Sequence, residues 1–182
     1  MTLSYSESWR AHFRTIAGIV GKDKEAEDWL ARYESKAAAI GKRIKKRTGD
    51  ETFLILGIGQ DRYVVYGQRN IGAVLYGDLN LPAPDGVKHI GHFKEIELDE
   101  LPALEADRIL LTIFRNDGTP SSEQAIRKQL RRLYASKQWQ SLRAVRNGKV
   151  YGIYDGRHLY TSYNPLSHQL LLDKLQQLLL AD

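Results

Sequence analysis

Apolar residues with helical spacing between residues 23 and 47 constrain the fold of this chain more than any other feature of the sequence. The positions are Ala26, Trp29, Leu30, Tyr33, Ala37, Ile40 and Ile44. They recur every three to four residues, which predicts one amphipathic helix, and at 1.5 Å per residue that helix is roughly 35 Å long. Asp23 is a candidate N-cap, and Thr48-Gly49-Asp50 ends the pattern. We expect the rest of the chain to pack along this apolar face, chiefly on Trp29, Tyr33, Ala37 and Ile40.

Short apolar runs alternate with helical patterns along the remainder of the chain. The runs that predict strands are 53–58, 62–66, 93–96, 108–114 and 149–153. Helical patterns cover 8–20, 70–79, 98–104, 120–134, 139–145 and 167–180. This alternation predicts an α/β fold, a three-layer lobe whose central, mostly parallel sheet is covered by helices and preceded by the long helix. We therefore divide the chain into residues 1–49, the two N-terminal helices, and residues 50–182, the α/β lobe.

Composition narrows the classes of function. The net charge is +5, which suits an anionic ligand, nucleic acid or an anionic membrane, although a solvated basic surface explains it equally well. The absence of cysteine excludes disulfides and thiolate metal sites. No apolar stretch reaches the roughly 18 residues of a membrane span, and residues 1–14 do not resemble a signal peptide.

A basic run, Lys42 to Arg47, closes the long helix. Cations complement the negative end of a helix, which is the simpler interpretation. A nucleic-acid-binding surface is the alternative, with further cations at Arg127, Lys128, Arg131 and Arg132. No aromatic residues interleave with the run, so the first interpretation is favoured.

The sequence carries no motif for catalysis. Gly57-Ile58-Gly59 follows a predicted strand, but a second strand comes next where a dinucleotide fingerprint needs a third glycine and a helix. Ser162 has His158 and His168 nearby in sequence, but no Gly-x-Ser-x-Gly elbow surrounds it. We predict a binding protein and not an enzyme.

Two loops contain candidate binding groups. His89 and His92 are three residues apart, but no third ligand is in reach, so we predict that they hold no metal by themselves. Together with Lys88 they could instead donate hydrogen bonds to an anionic ligand. The other loop, 154–163, follows the last predicted strand and is rich in tyrosine and in donor groups, at the position where open α/β sheets bind ligands.

The segment Trp139-Gln-Ser-Leu-Arg-Ala-Val-Arg-Asn-Gly-Lys-Val-Tyr151 resembles the "W-x-x-L-x-A-V-x-x-G-x-V-Y" segment of helical-hinge solute-binding proteins. Leu75 to Leu79 with Pro82 and Pro84, and Gly21 to Glu34, are similar to further parts of that family in the same order. These proteins bind ferric siderophores or cobalamin between two lobes joined by one long helix. The resemblance implies that this chain is the C-terminal lobe with its hinge helix, without the N-terminal lobe.

The ending Tyr163-Asn-Pro-Leu-Ser-His168 resembles binding domains fused to AraC-type regulators of Gram-positive bacteria. The resemblance implies a cytoplasmic sensor of a ferric siderophore or similar chelate, with a DNA-binding module elsewhere in the full-length protein. The alternative is the soluble component of an iron-siderophore ABC transporter, in which Glu100 would contact the permease. No resident cofactor is expected, because ferric iron would arrive with the ligand.

The resemblance further implies that ligand contacts come from three regions. The residues that it implies are Gln60, Gln68, Arg69, Lys88, His89, His92, His158, Tyr160 and Tyr163. Arg115, just past an apolar strand, is a fourth candidate region, with a solvent-exposed strand end as the alternative. Arg and Lys supply charge-assisted donors, and tyrosines supply flat amphipathic contacts for a planar, anionic chelate.

Overall fold

The computed structural model describes residues 7–114, 122–154 and 164–181. Helix α1 (Trp9–Ile19) and helix α2 (Asp23–Thr48) form an antiparallel pair, with Arg14 donating to Glu27 across it at 2.6 Å. The prediction of one uninterrupted long helix is confirmed, since α2 runs for 26 residues. Asp23 is its first residue and not its N-cap. Lys22 takes the cap position without a side-chain bond, so Asp23 acts only through its charge at the positive helix end.

Five strands form one mixed sheet in the order β3-β2-β1-β4-β5. The strands are β1 (Phe53–Ile58), β2 (Tyr63–Tyr66), β3 (Phe93–Ile96), β4 (Arg108–Ile113) and β5 (Val150–Ile153). Strands β1, β4 and β5 are parallel, as predicted, whereas β2 is antiparallel to both β1 and β3. The α/β class is therefore confirmed, with parallel pairing limited to β1, β4 and β5.

Helices cover the sheet in two groups. One group contains α1, α2, α6 (Pro165–Leu180) and a π-helical turn, Ala73–Asp78. The other contains α3 (Glu123–Ala135), α4 (Lys137–Ser141), α5 (Arg143–Arg146) and the 3₁₀ helix Leu98–Leu104. All six residues of β1 are buried between these groups. Burial of each large aliphatic side chain contributes about 1.5–3 kcal/mol, so β1 is the centre of the core.

Helix α1 is attached to the lobe by polar and aromatic contacts as well as by apolar ones. Trp9 stacks on His168 of α6, with ring centroids 4.3 Å apart. Asp78, at the end of the π-helical turn, accepts hydrogen bonds from Arg10 at 2.8 Å and from Tyr33 of α2 at 2.6 Å. These contacts join α1, α2 and α6 at one point, so the two N-terminal helices and the lobe form one packed unit.

Candidate functional site

The parallel strands end together at one edge of the sheet, the edge at which open α/β proteins bind ligands. Gln60 lies there, in the tight turn between β1 and β2, and its side chain accepts a hydrogen bond from the backbone of Ser122 at 3.4 Å. Four predicted ligand-binding residues that follow β4 and β5 lie outside the described residues: Arg115, His158, Tyr160 and Tyr163. Of the predictions at this edge, only Gln60 can therefore be located.

A second group of predicted residues comes together where the loop after β2 meets the loop before β3. The backbone N–H groups of Gly67, Gln68 and Arg69 donate to the carbonyls of His92, Ile90 and Gly91, each at 2.9 Å. Arg69 and His92 also contact each other through their side chains, with Nη1 3.1 Å from Nε2. The structure thus joins Gln68, Arg69 and His92 in one loop pair, at the opposite end of β2 from Gln60.

Lys88 and His89 lie in the same connection and are both exposed. The ammonium of Lys88 is paired with Asp85 at 2.6 Å, and this pair lowers the pKa of the Asp85 carboxyl. An incoming anion would have to compete with Asp85 for Lys88. Lys88 is therefore a weaker candidate for ligand binding than its charge alone indicates.

Three aromatic rings connect the loop pair to the edge of the sheet. Phe93 packs against Phe114 with ring centroids 4.9 Å apart, and Tyr66 packs against both rings. The rings lie close over Gly57, where an added Cβ would come within 2.9 Å of the Tyr66 ring. Phe93 is 42% exposed although it belongs to this cluster. It offers a flat apolar surface beside His92.

From the sequence, Phe93 was predicted only as the start of a short strand. Its position directly after His92 was the available signal, because an aromatic residue next to a donor loop is typical of a binding surface.

A cavity of about 630 Å³ lies between α3 and the ends of β4 and β5. The described residues that line it include Ile113, Ile126, Leu130, Tyr134 and Tyr154. The hydroxyls of Tyr134 and Tyr154 are 3.1 Å apart, and burial, together with this hydrogen bond, raises the pKa of Tyr154. The Tyr154 phenol therefore stays neutral at physiological pH, and the two hydroxyls act as hydrogen-bonding groups in a cavity that Glu123 and Arg127 also line. This cavity was not predicted from the sequence.

Two other predictions concern a metal ion, which His89 and His92 were not expected to hold by themselves, and Glu100, which would contact the permease in the transporter alternative. Within residues 7–114, 122–154 and 164–181, no group of three or more His, Asp or Glu side chains could hold a metal ion. The Nε2 atom of His92 already faces Arg69, which would compete with any metal. Glu100 caps its own 3₁₀ helix by accepting from the backbone of Glu97 at 2.8 Å, and it also pairs with Lys94 at 3.0 Å.

In the part of the chain that the structure describes, none of the helices is both long enough and apolar enough to cross a bilayer.

Curated relatives of the chain fall into two groups. The chain is 26% identical over 182 residues to the HTH-type transcriptional activator Btr of Bacillus subtilis, covering all of this chain and 32% of Btr. It is 31% identical over 147 residues to the iron(3+)-hydroxamate-binding protein FhuD and 29% identical over 147 residues to the iron-uptake system-binding protein, both of Bacillus subtilis. These matches cover 76% and 80% of this chain, but 43% and 45% of the relatives. The chain thus spans less than half the length of each of these relatives.

Two solved structures have the same fold as this chain. A periplasmic binding protein component of a Fep/Fec-like ferrichrome ABC transporter from Bacillus subtilis superposes with a TM-score of 0.78 at 26% identity, covering 98% of this chain and 66% of that one. Staphylococcus aureus SirA superposes with a TM-score of 0.83 at 22% identity, covering 100% of this chain and 68% of that one.

A sequence model described as "periplasmic binding protein" matches residues 1–155, which is most of the chain. The fold of the chain and the order of its strands agree with that match. The chain therefore belongs to the periplasmic binding protein family, a family of binding proteins and not of enzymes.

Proposed function

We propose that this chain is the ligand-binding lobe of a sensor for a ferric siderophore or a similar metal chelate. The observation that carries the proposal is the match to the transcriptional activator Btr over every residue of the chain. The two iron-uptake binding proteins among the relatives support the chemical class of the ligand.

The chemistry of the loop pair is consistent with such a ligand. Ferric catecholates and related chelates are anionic and have flat faces. Arg69 supplies a guanidinium that can bind oxygen anions in a bidentate manner, and the exposed Phe93 supplies an apolar face beside it. An anionic chelate would therefore meet both kinds of group on one surface.

The regulator assignment includes proposals about partners and location. We infer a second lobe that completes the cleft and a DNA-binding module elsewhere in a longer protein, working in the cytoplasm. Residues 1–49 would then be the hinge region and residues 50–182 the C-terminal lobe. Ferric iron would enter with the chelate as cargo, without a resident cofactor.

The second candidate function is the substrate-binding component of an iron-siderophore transporter. It is favoured by the 31% identity to FhuD. The gene sequence upstream of this chain separates the two, because a helix-turn-helix module there supports the regulator and an N-terminal secretion signal supports the transporter.

Titration with metal chelates tests the ligand class. We expect this chain to bind a ferric tris-catecholate weakly, and a two-lobed protein containing it to bind about three to four decades more tightly. Two or three charge-assisted contacts from the second lobe contribute on the order of 4–6 kcal/mol. Ferrioxamine B, which has a different charge, serves as the comparison ligand.

Variants make the titration specific to the site. Lys88→Ala and His89→Ala should weaken binding without lowering thermal stability, because both side chains lie in an exposed loop. Lys24→Ala, on the exposed face of α2, is the matched control. The siderophore assignment would be wrong if the two-lobed protein bound neither chelate below about millimolar concentration.

The rival interpretation as a nucleic-acid-binding domain has its own test. Random duplex DNA should not shift in a gel with this chain, whereas a shift that weakens with salt would favour DNA binding by the basic run at the end of α2.

A further inference from the structure

The contact between Arg69 and His92 requires one particular tautomer of the histidine ring. The two nitrogens, Nη1 and Nε2, are 3.1 Å apart. A guanidinium has only donors, so the Nε2 atom of His92 is the acceptor in this contact and the ring hydrogen is on Nδ1. The imidazole in this contact is therefore the Nδ1–H tautomer.

The backbone beneath this contact is held in place by two glycines. A Cβ on Gly67 would lie 1.9 Å from the carbonyl oxygen of Ile90, and a Cβ on Gly72 would lie 1.7 Å from the carbonyl oxygen of Gly67. Gly67 therefore allows the two loops to approach each other, and Gly72 allows the chain to turn back on its own loop. The hydrogen bond from Gly67 to His92 then joins the loops at the residue that contacts Arg69. Both side chains consequently extend from fixed backbone positions.

An arginine that is already oriented binds an anion at lower entropic cost than a mobile one. Arg69 is half-buried, while His92 and Phe93 beside it are exposed, so a ligand can reach the group from the His92 side. From this geometry we propose that His92 is a positioning residue, which holds the guanidinium of Arg69 toward an anionic oxygen of the ligand. The inference rests on the proposed function, because it needs an anionic ligand at this loop pair.

A double-mutant cycle measures the coupling between the two side chains. The probe is gallium(III) tris-catecholate, a diamagnetic stand-in for the ferric complex. It is titrated at pH 8 into the two-lobed protein that contains this chain, and binding is followed by NMR. His92→Gln keeps an acceptor near the Nε2 position, His92→Leu removes it, and Arg69→Gln removes the guanidinium. Orienting one such side chain corresponds to a change in affinity of about 3- to 10-fold.

The expected pattern has three parts. His92→Leu weakens binding about 3- to 10-fold. Arg69→Gln weakens it more, about 10- to 100-fold, because it removes the charge-assisted contact itself, and the double variant is no weaker than Arg69→Gln alone. His92→Gln binds within about threefold of the parent, a rescue that a merely structural role in the loop would not produce. The ¹⁵N shifts of His92 report the Nδ1–H tautomer in the parent and a loss of that preference in Arg69→Gln.

Contrary results distinguish a failure of the positioning role of His92 from a failure of the proposed function. If the parent binds the probe but the two losses add in the double variant, or His92→Gln is as weak as His92→Leu, the positioning role is wrong and the proposed function stands. If the parent binds no probe while the tautomer is as expected, the contact is purely structural, and the positioning role is lost together with the proposed function. A predominant Nε2–H tautomer in the parent overturns the contact itself.

Discussion

We expect acid to destabilise this protein through His168, which lies beneath Trp9 at the junction of α1 and α6. The side chain is 1% exposed, and neither ring nitrogen has a hydrogen-bond partner among the residues that the structure describes. Burial penalises the charged imidazolium, and the nearby guanidinium of Arg10 adds a smaller repulsion. Together they lower the pKa of His168 to about 3. The folded protein therefore keeps this histidine neutral at pH values where the unfolded chain protonates it.

The size of the effect follows from the difference between the two pKa values. The ordinary pKa of histidine is 6.5. Between pH 6.5 and pH 3 the unfolded state binds the proton and the folded state does not, so stability is complete above pH 6.5 and falls as the pH falls. Each pH unit in this window costs about 1.4 kcal/mol, so lowering the pH to about 4.5 removes about 2.7 kcal/mol of unfolding free energy.

Urea unfolding of the parent and of His168→Phe, followed by circular dichroism at about pH 7.5, 5.5 and 4.5, isolates this contribution. Phenylalanine preserves a ring against Trp9 but cannot titrate, whereas the carboxylates titrate equally in both proteins. The variant should therefore gain about 2.7 kcal/mol relative to the parent between the highest and the lowest pH. A stability difference that stays constant across this range would refute the reasoning, because it would mean that folded His168 protonates as readily as a histidine in water.

Three further predictions concern the cluster over the sheet, the α1 junction and the loop histidines. Gly57→Ala should lower the free energy of unfolding in urea by about 1–3 kcal/mol, because the new methyl group overlaps Val64 and the ring of Tyr66; an unchanged midpoint would contradict this packing. Asp78→Ala should cost about 2–4 kcal/mol in the same assay, because it leaves the Tyr33 hydroxyl without this acceptor and removes the buried one of two partners of Arg10. Glu34→Ala, which removes only the exposed partner of the same arginine, should cost less than about 1 kcal/mol. Calorimetric titration with zinc should show no stoichiometric binding by His89 and His92, and uptake that His92→Ala abolishes would overturn this prediction.

Periodicity in the sequence was sufficient to predict the elements whose residues interact locally. The α2 stripe and the apolar runs of β1 and β4 determine their own secondary structure, and each was placed to within about two residues. The segment predicted as a helix over 70–79 contains a π-helical turn, Ala73–Asp78. That difference could not be predicted, because Asp78 interacts with α1 and α2, which are distant in sequence.

The candidate site was predictable as a set of residues but not as a geometry. The donor-rich loop identified His92, and the resemblance to solute-binding proteins identified Arg69. Their contact depends on hydrogen bonds between loops about twenty residues apart and on the close approach that Gly67 permits. Such long-range pairing leaves no periodic trace in the sequence, and for the same reason the role of Phe93 was not recognised.

The antiparallel hairpin raises the question of how two separate groups of loops could serve one ligand. Strands β1, β4 and β5 bring their following residues to one edge of the sheet, whereas β2 runs in the opposite direction and carries Arg69 away from it. The contact between Phe93 and Phe114 bridges this separation, because Phe114 directly follows β4 while Phe93 directly follows His92. Gly57 adds to this packing, because a Cβ there would lie 2.7 Å from Val64 and 2.9 Å from the ring of Tyr66, which contacts both phenylalanines. The same glycine that does not belong to a nucleotide-binding motif therefore acts in packing, by leaving room for the side chains of β2 beside β1.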